Sequence, residues 1–500
     1  MHPTLCIDEV LQLIFDFSGD VSDPEPKWTY AQLARCCKTW TDPALDRLWR
    51  RMSGPKPLLA LLPKSDEFTM AATPVVEAYA KRVRHIVYAD GFLSVPSLKL
   101  SKEHGPNVFP NLESVALANA ACLAPPAWTA SPFLKRVTVN LSFSRKPHSV
   151  LDRGAAVARF LPTLRGRMSD ALNTTLASLT QLCSLTVHTG ESLGCEAFAA
   201  IATFPALRTL EVHASHINAD ELDDALAGAS QGDTQYFPAL EELSIRTNAA
   251  LLAALLTRIP AGVLRKLSLD MVDGDGKGDG DRGGPEPCMK PIFELLAQKA
   301  AGSLLDLFIE DRTVHDEERD DTPGAPRQGY SLDVLGPLAR VRQLRSFTLR
   351  EPDLFDTDLE TMARWWPALE HLDLGTFEGS TLEESEEEQV EAHGVELEVT
   401  QAKSQMTSGV YGIVARSFRF LESLTLSAPP PREVATGEES ARFVTELWSL
   451  TAGKASDATG KVDAPAVVDA LLSIFPTVKS MDCPDAEVSA RFETVVAGRR

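Results

Sequence analysis

A chain of 500 residues with 44% hydrophobic and 24% charged residues has the composition of an ordinary soluble globular protein and is long enough for a large core. Its 49 basic against 70 acidic residues leave a formal charge of −21, which opposes binding to nucleic acid or to an anionic membrane. The eight cysteines are scattered, with no C-x-x-C or other metal-ligand spacing, so they are expected to be reduced and mostly buried, with no metal and no cofactor implied. No apolar N-terminal stretch follows a basic segment and no run nears the length of a membrane span, so the expected compartment is cytoplasm or nucleus, not secreted. The sequons at Asn140 and Asn173 are then chance matches.

The first readable elements are helical. In CIDEVLQLIFDFSGD (6–20), Ile7, Val10, Leu11 and Ile14 share one helical face. In WTYAQLARCCKTWTDPALDRLWRRM (28–52), Leu33, Cys36, Cys37 and Trp40 repeat that spacing. Pro43 is expected to open a further short helix carrying Leu45, Leu48 and Trp49. Three small helices would share one apolar seam. About 45 residues is near the lower limit for a self-sufficient core, which predicts that part of the seam is covered by something else.

The order of DEVLQLIF, then L-A-x-x-C-x-x-W (Leu33, Ala34, Cys37, Trp40), then D-P-A-L-x-x-L-W (Asp42 to Trp49) resembles the F-box, in the form common in fungi. The resemblance covers residues 4–52. It implies docking on the Skp-type adaptor of a cullin-based ubiquitin ligase, with Ile7, Val10, Leu11, Ile14, Leu33, Cys37, Trp40, Pro43, Leu45, Leu48 and Trp49 forming the docking module and its core. The Leu-Pro that often starts an F-box is replaced here by Cys6-Ile7. A three-helix bundle that merely caps a larger domain is the alternative reading of the same spacing.

After 53–108, expected to hold a connecting segment and an N-terminal cap or degenerate repeat, a phrase recurs through 109–500. It reads FPNLESVAL (109–117), SPFLKRVTV (131–139), LTQLCSLTV (179–187), FPALRTLEV (204–212), FPALEELSI (237–245) and AGVLRKLSL (261–269). Further copies are AGSLLDLFI (301–309), RVRQLRSFTL (340–349), WPALEHLDL (366–374), FRFLESLTL (418–426) and FPTVKSMDC (475–483). An apolar residue returns at 0, +3 and +5, the L-x-x-L-x-L strand of a leucine-rich repeat, and helical patterns such as NAALLAALLTRI (248–259) separate the copies. First-leucine steps of 22 (112 to 134), 25 (182 to 207), 24 (240 to 264) and 25 (344 to 369) suit that class. The longer steps 134 to 182 and 369 to 421 predict a degenerate copy in each gap. Polar insertions are expected near 228–235, 273–284, 315–329, 381–394, 429–440 and 454–461. Asn248 stands where this repeat class often carries an asparagine, and most copies lack it.

The resulting expectation is an α/β chain: a short helical module followed by an irregular solenoid, with parallel strands lining a concave face and helices on the convex one. Positions +2, +4 and +6 then face outward from the strands, where His188, His213, Arg246, Asp270, Phe308, Glu310 and Arg350 form a mixed candidate surface for an unidentified protein substrate. No constellation for catalysis stands out.

Two motifs point elsewhere. GESLG (190–194) matches the G-x-S-x-G nucleophile elbow, with Ser192 as nucleophile and His315 or His371 as the nominal base, but every repeat supplies the same strand-turn-helix context. DGDGKGDGDRGGPE (273–286) is similar to a calcium loop read from Asp275, with Asp279, Gly280 and Glu286 in place. Lys277 stands where an oxygen ligand is needed, so a Gly-Asp linker is the preferred reading. The functions in play are a ligase substrate adaptor, an interaction scaffold without ligase attachment, and a serine hydrolase.

Overall fold

The computed structural model describes residues 10–11, 13–14, 24–54, 56–61, 69–70, 74–88, 99–100, 109–118, 131–140, 173–188, 193–229, 235–272, 289–311, 330–350, 352–375, 406–433, 445, 447–453 and 463–499. They fall into two compact units, 1–240 and 241–500.

In the first unit the strands Arg51–Met52, His85–Tyr88, Ser114–Ala118, Arg136–Asn140, Ser184–His188 and Thr209–His213 follow one another in space as they do in sequence, each pair parallel. In the second unit Glu242–Thr247, Lys266–Met271, Asp306–Asp311, Ser346–Leu349, His371–Leu374, Ser423–Leu426, Ser449–Thr451 and Ser480–Asp482 do the same. Helices such as Cys195–Ala202, Ala219–Ala229, Ala249–Arg258 and Asp356–Trp365 connect them. This is the leucine-rich-repeat architecture, an α/β fold in which each strand and crossover buries its apolar side only against the next repeat.

The recurring leucines make the core. Leu182, Leu185 and Val187 are fully buried, as are Leu304, Leu307 and Ile309 within about one per cent. Residues between them alternate to the open side of the sheet, as a two-residue period requires. The strands are joined at their starts by a forked backbone ladder. The carbonyl of the +1 residue in one repeat accepts both the +1 and the +2 N–H of the next: Arg265 and Lys266 donate to Glu241 at 2.7 and 3.0 Å, Leu305 and Asp306 to Arg265 at 2.7 and 3.1 Å. The same fork joins Glu113 and Ser114 to Arg84 and Lys135 and Arg136 to Glu113. Backbone donors at the sheet margin are thereby satisfied without side chains. Asn248 serves another end: its side-chain oxygen accepts the Leu251 N–H at 2.9 Å and caps the helix Ala249–Arg258.

Two expectations are corrected. Strand Arg136–Asn140 pairs directly with Ser184–His188, and His371–Leu374 with Ser423–Leu426, so neither long gap holds a degenerate repeat in the ladder. The extra length is an insertion between adjacent repeats, which the forks of Cys183 and Ser184 onto Lys135 and of Glu422 and Ser423 onto Glu370 leave no room to interrupt. Two repeats stand instead where the phrase is weak. One is the strand His85–Tyr88, with Val83 and Ile86 buried; the other is Ser449–Thr451, with Leu447 and Leu450 buried. At the second, a Cβ on Gly453 would run into the carbonyl oxygens of Ser427 and Ala428, so the chain can pass only with glycine there.

Of the expected insertions, 273–284, 315–329, 381–394 and 454–461 lie outside the described residues, as do parts of 228–235 and 429–440. Deleting 381–394 removes nothing from the ladder between His371–Leu374 and Ser423–Leu426. The expected change in unfolding free energy is about 0.5 kcal/mol or less, the scale on which loop length acts. Matched chemical denaturation of the deletion and the parent checks it, and a large destabilisation would contradict the repeat frame.

Candidate protein-interaction surfaces

The N-terminal helices bring most of the module residues together. Helix Pro24–Cys36 packs on helix Lys38–Arg50, and Leu11, Tyr30 and Ala44 are fully buried between them, with Leu33, Ala34, Trp40 and Leu48 packed around. Val10 is half-buried, Pro43 is buried, and Leu45 and Trp49 are half-buried; Ile7 lies outside the described residues. Ile14 turns away from the seam and is 39% exposed, as Leu13 is at 57% and Trp28 at 70%.

The helix boundary differs from the expected one. Cys37 is extended at φ −159°, and Pro43 sits inside Lys38–Arg50, not at its start. The break comes earlier because the Thr41 hydroxyl donates to the carbonyls of Ala34 at 2.9 Å and Cys37 at 3.0 Å, and the Trp40 N–H to Cys37 at 3.1 Å. That tight turn forms the first turn of the second helix before the proline is reached. Cys36, expected on the shared face, is exposed, its thiol directed to the Gln32 carbonyl at 3.3 Å.

The module is tied to the first repeats by residues that spacing did not single out. The Arg82 guanidinium donates to the Asp42 carboxylate at 2.6 Å, to the Asp42 carbonyl at 3.1 Å, and to Asp46. Burial works against that charge, yet the bond to Asp42 and the charge of Asp46 outweigh it and hold the Arg82 pKa above its ordinary value. The Trp49 ring packs on Tyr79 at 4.6 Å. Arg82→Ala is expected to loosen helix Lys38–Arg50: amide exchange there should quicken several-fold while strand Ser184–His188 is unaffected, since both carboxylates are well exposed and the bridge contributes only about 1 kcal/mol.

The strand-face residues are arranged as self-matched pairs. The His188 and His213 rings stack 4.0 Å apart. His188 Nε2 lies 3.1 Å from Glu211 Oε1, within ion-pair range but off the line an N–H bond needs. Thr186 donates to the same Glu211 carboxylate at 3.3 Å. In the second unit Arg246, Asp270 and Glu310 stand in register on adjacent strands, with Arg246 Nε 3.7 Å from Asp270. Arg350 meets Asp373 through two nitrogens, both at 3.3 Å. Phe308 is half-exposed beside them. His188, Arg246 and Arg350 thus each have a carboxylate nearby. Glu211 and Asp373, both at +4, are partners that a count along the +6 row passes over.

Ser192 and His315 lie outside the described residues, as does the candidate calcium loop. His371 is an exposed strand residue in register with Ser346 and Ser423. Among the described residues no group of His, Cys, Asp and Glu could hold a metal ion, and no helix is long and apolar enough to cross a membrane.

No family model and no curated protein matches this sequence. Among solved structures, an internalin (inlF) of Listeria monocytogenes is 12% identical over 92% of this chain and 95% of its own, with a TM-score of 0.37. A chain of the yeast Rad7 and Elc1 complex is 12% identical over 75% of this chain and 91% of its own, with a TM-score of 0.33. At that identity and those TM-scores neither likeness carries an argument about function.

Proposed function

We propose that the chain is a non-enzymatic substrate adaptor of a cullin-based ubiquitin ligase: the N-terminal helices dock on a Skp-type adaptor and the repeats hold a protein target. The observation that carries this reading is the division of apolar residues in the F-box-like segment. Leu11, Tyr30 and Ala44 close an internal core, while Leu13, Ile14 and Trp28 are left exposed on the same small module. Several exposed large apolar side chains on so small a unit favour a protein partner. Catalysis would then be proximity, with the target held near the charged ubiquitin carrier at raised effective concentration.

An interaction scaffold without ligase attachment is the second reading, favoured by the Cys6-Ile7 that replaces the usual Leu-Pro. Co-purification of the full chain with a Skp-type adaptor separates the two: a stoichiometric complex supports the adaptor, and its absence with folded protein leaves the scaffold.

A further inference from the structure

The first repeats carry a charge opposite to that of the whole chain. The +1 residues on four neighbouring repeats are Arg50, Arg84, Glu113 and Lys135; the +2 residues are Arg51, His85, Ser114 and Arg136, in register strand to strand. Glu113 is the one carboxylate among them, and Arg84 lies 3.4 Å from it. The +4 residues Val87, Ala116 and Thr138 add no charge. Arg51, Lys135 and Arg136 are exposed. At the centre the His85 ring is bonded to the Ser114 hydroxyl at 2.8 Å. Burial and then the charge of Arg50 push its pKa down, with Arg51 and Arg136 adding and Glu113 opposing, which registers the positive field of this patch.

We propose that the strand face from Arg51 to Arg136 is a docking surface for an acidic, Asp/Glu-rich segment of a protein partner. On a chain of net charge −21, such a concentration of cations selects a partner locally while the rest of the molecule repels anions. The dimensions fit an extended peptide. Arg51 and Arg136 are three strand intervals apart, about 14 Å at about 4.8 Å per interval, the span of four to five extended residues. The Thr138 hydroxyl, two residues along the strand from Arg136, adds a polar group at the edge of the row. A nucleic acid fits less well: it extends far beyond the patch into the field of the acidic chain, and these rows offer no Phe, Tyr or Trp for base stacking. The surface shares no residue with the exposed Leu13, Ile14 and Trp28, and the proposal holds whether or not those residues engage an adaptor.

The test is fluorescence anisotropy of a labelled deca-glutamate peptide with the full chain. Wild type should bind at about 0.05 M salt and lose most of that affinity at about 0.5 M, as exposed charge pairs do. The pair Arg51→Glu and Arg136→Glu should weaken binding by about tenfold or more. Arg364→Glu with Arg416→Glu, two exposed helix arginines, changes net charge equally and should stay within about twofold. If the first pair lowers the melting temperature, Arg51→Gln with Arg136→Gln is read instead. Absence of peptide binding by wild type, unchanged affinity in the Arg51 and Arg136 variants, equal loss in the control pair, or tighter binding of a deca-uridylate RNA at the same salt would each overturn the proposal.

Discussion

Trp366→Ala lowers the unfolding free energy of the second unit by about 3 to 5 kcal/mol, the range for removing a large aromatic side chain from a packed core. The indole is fully buried, its ring centroid 4.7 Å from that of Phe347 on the neighbouring repeat, and its Nε1 donates to the Leu338 carbonyl at 3.1 Å. Truncation opens a cavity between repeats and leaves that carbonyl with the Val341 N–H alone, at 2.9 Å. Because each repeat is stabilised by its neighbours, the loss spreads along the array. Trp366→Phe keeps most of the volume and isolates the hydrogen bond, at about 1 kcal/mol. Trp365→Ala is the control: that ring is only half-buried, and its loss should cost about 1 kcal/mol or less. Equilibrium denaturation of the three variants checks the order, and equal effects at positions 365 and 366 would mean that the core does not run through Trp366.

Ile14→Asp combined with Trp28→Asp is expected to abolish capture of a Skp-type adaptor while leaving the fold intact. Trp28 is 70% and Ile14 39% exposed, and neither belongs to the Leu11, Tyr30 and Ala44 core, so the substitutions spare that core. At an interface each would bury an uncompensated carboxylate, and the combined loss should exceed about 2 kcal/mol, roughly thirtyfold or more in affinity. Trp40→Ala reads differently. Trp40 packs against the Leu11, Tyr30 and Ala44 cluster, so its truncation unfolds the module and reports stability, not contact. A pull-down quantified beside circular dichroism distinguishes these cases. Full capture by the folded Ile14 and Trp28 double variant would remove the proposed docking surface, leaving the scaffold reading.

The sequence by itself determined the repeat strands and the identity of their buried side. Apolar residues at 0, +3 and +5 are a local signal: whichever repeats become neighbours, Leu182, Leu185 and Val187 must leave water together. Helix Ala249–Arg258 was equally legible from its apolar spacing, though not the cap that Asn248 supplies to it. In the N-terminal helices Leu11, Leu33, Trp40 and Leu48 followed from the same local periodicity, but not the fully buried Tyr30 and Ala44, nor the helix break, which depends on Thr41 reaching back seven residues to Ala34.

Tertiary structure alone decided which strands are neighbours and what their outward side chains meet. Spacing cannot tell a hidden repeat from an insertion, since a loop closes over 30 residues almost as readily as over 15. Only the pairing of His371–Leu374 with Ser423–Leu426 settles that gap, and only the pairing of Ser449–Thr451, with Leu447 and Leu450 buried, reveals the repeat there. Charge is likewise non-local. Arg246 and Arg350 were visible as cations, yet Asp270 and Asp373 come beside them only through strand register, and the arginines of the first repeats gather around His85 by the same register across 85 residues of chain from 51 to 136. A net charge is a sum over the chain, whereas a partner meets the field of one face, and that face exists only once the strands are laid side by side.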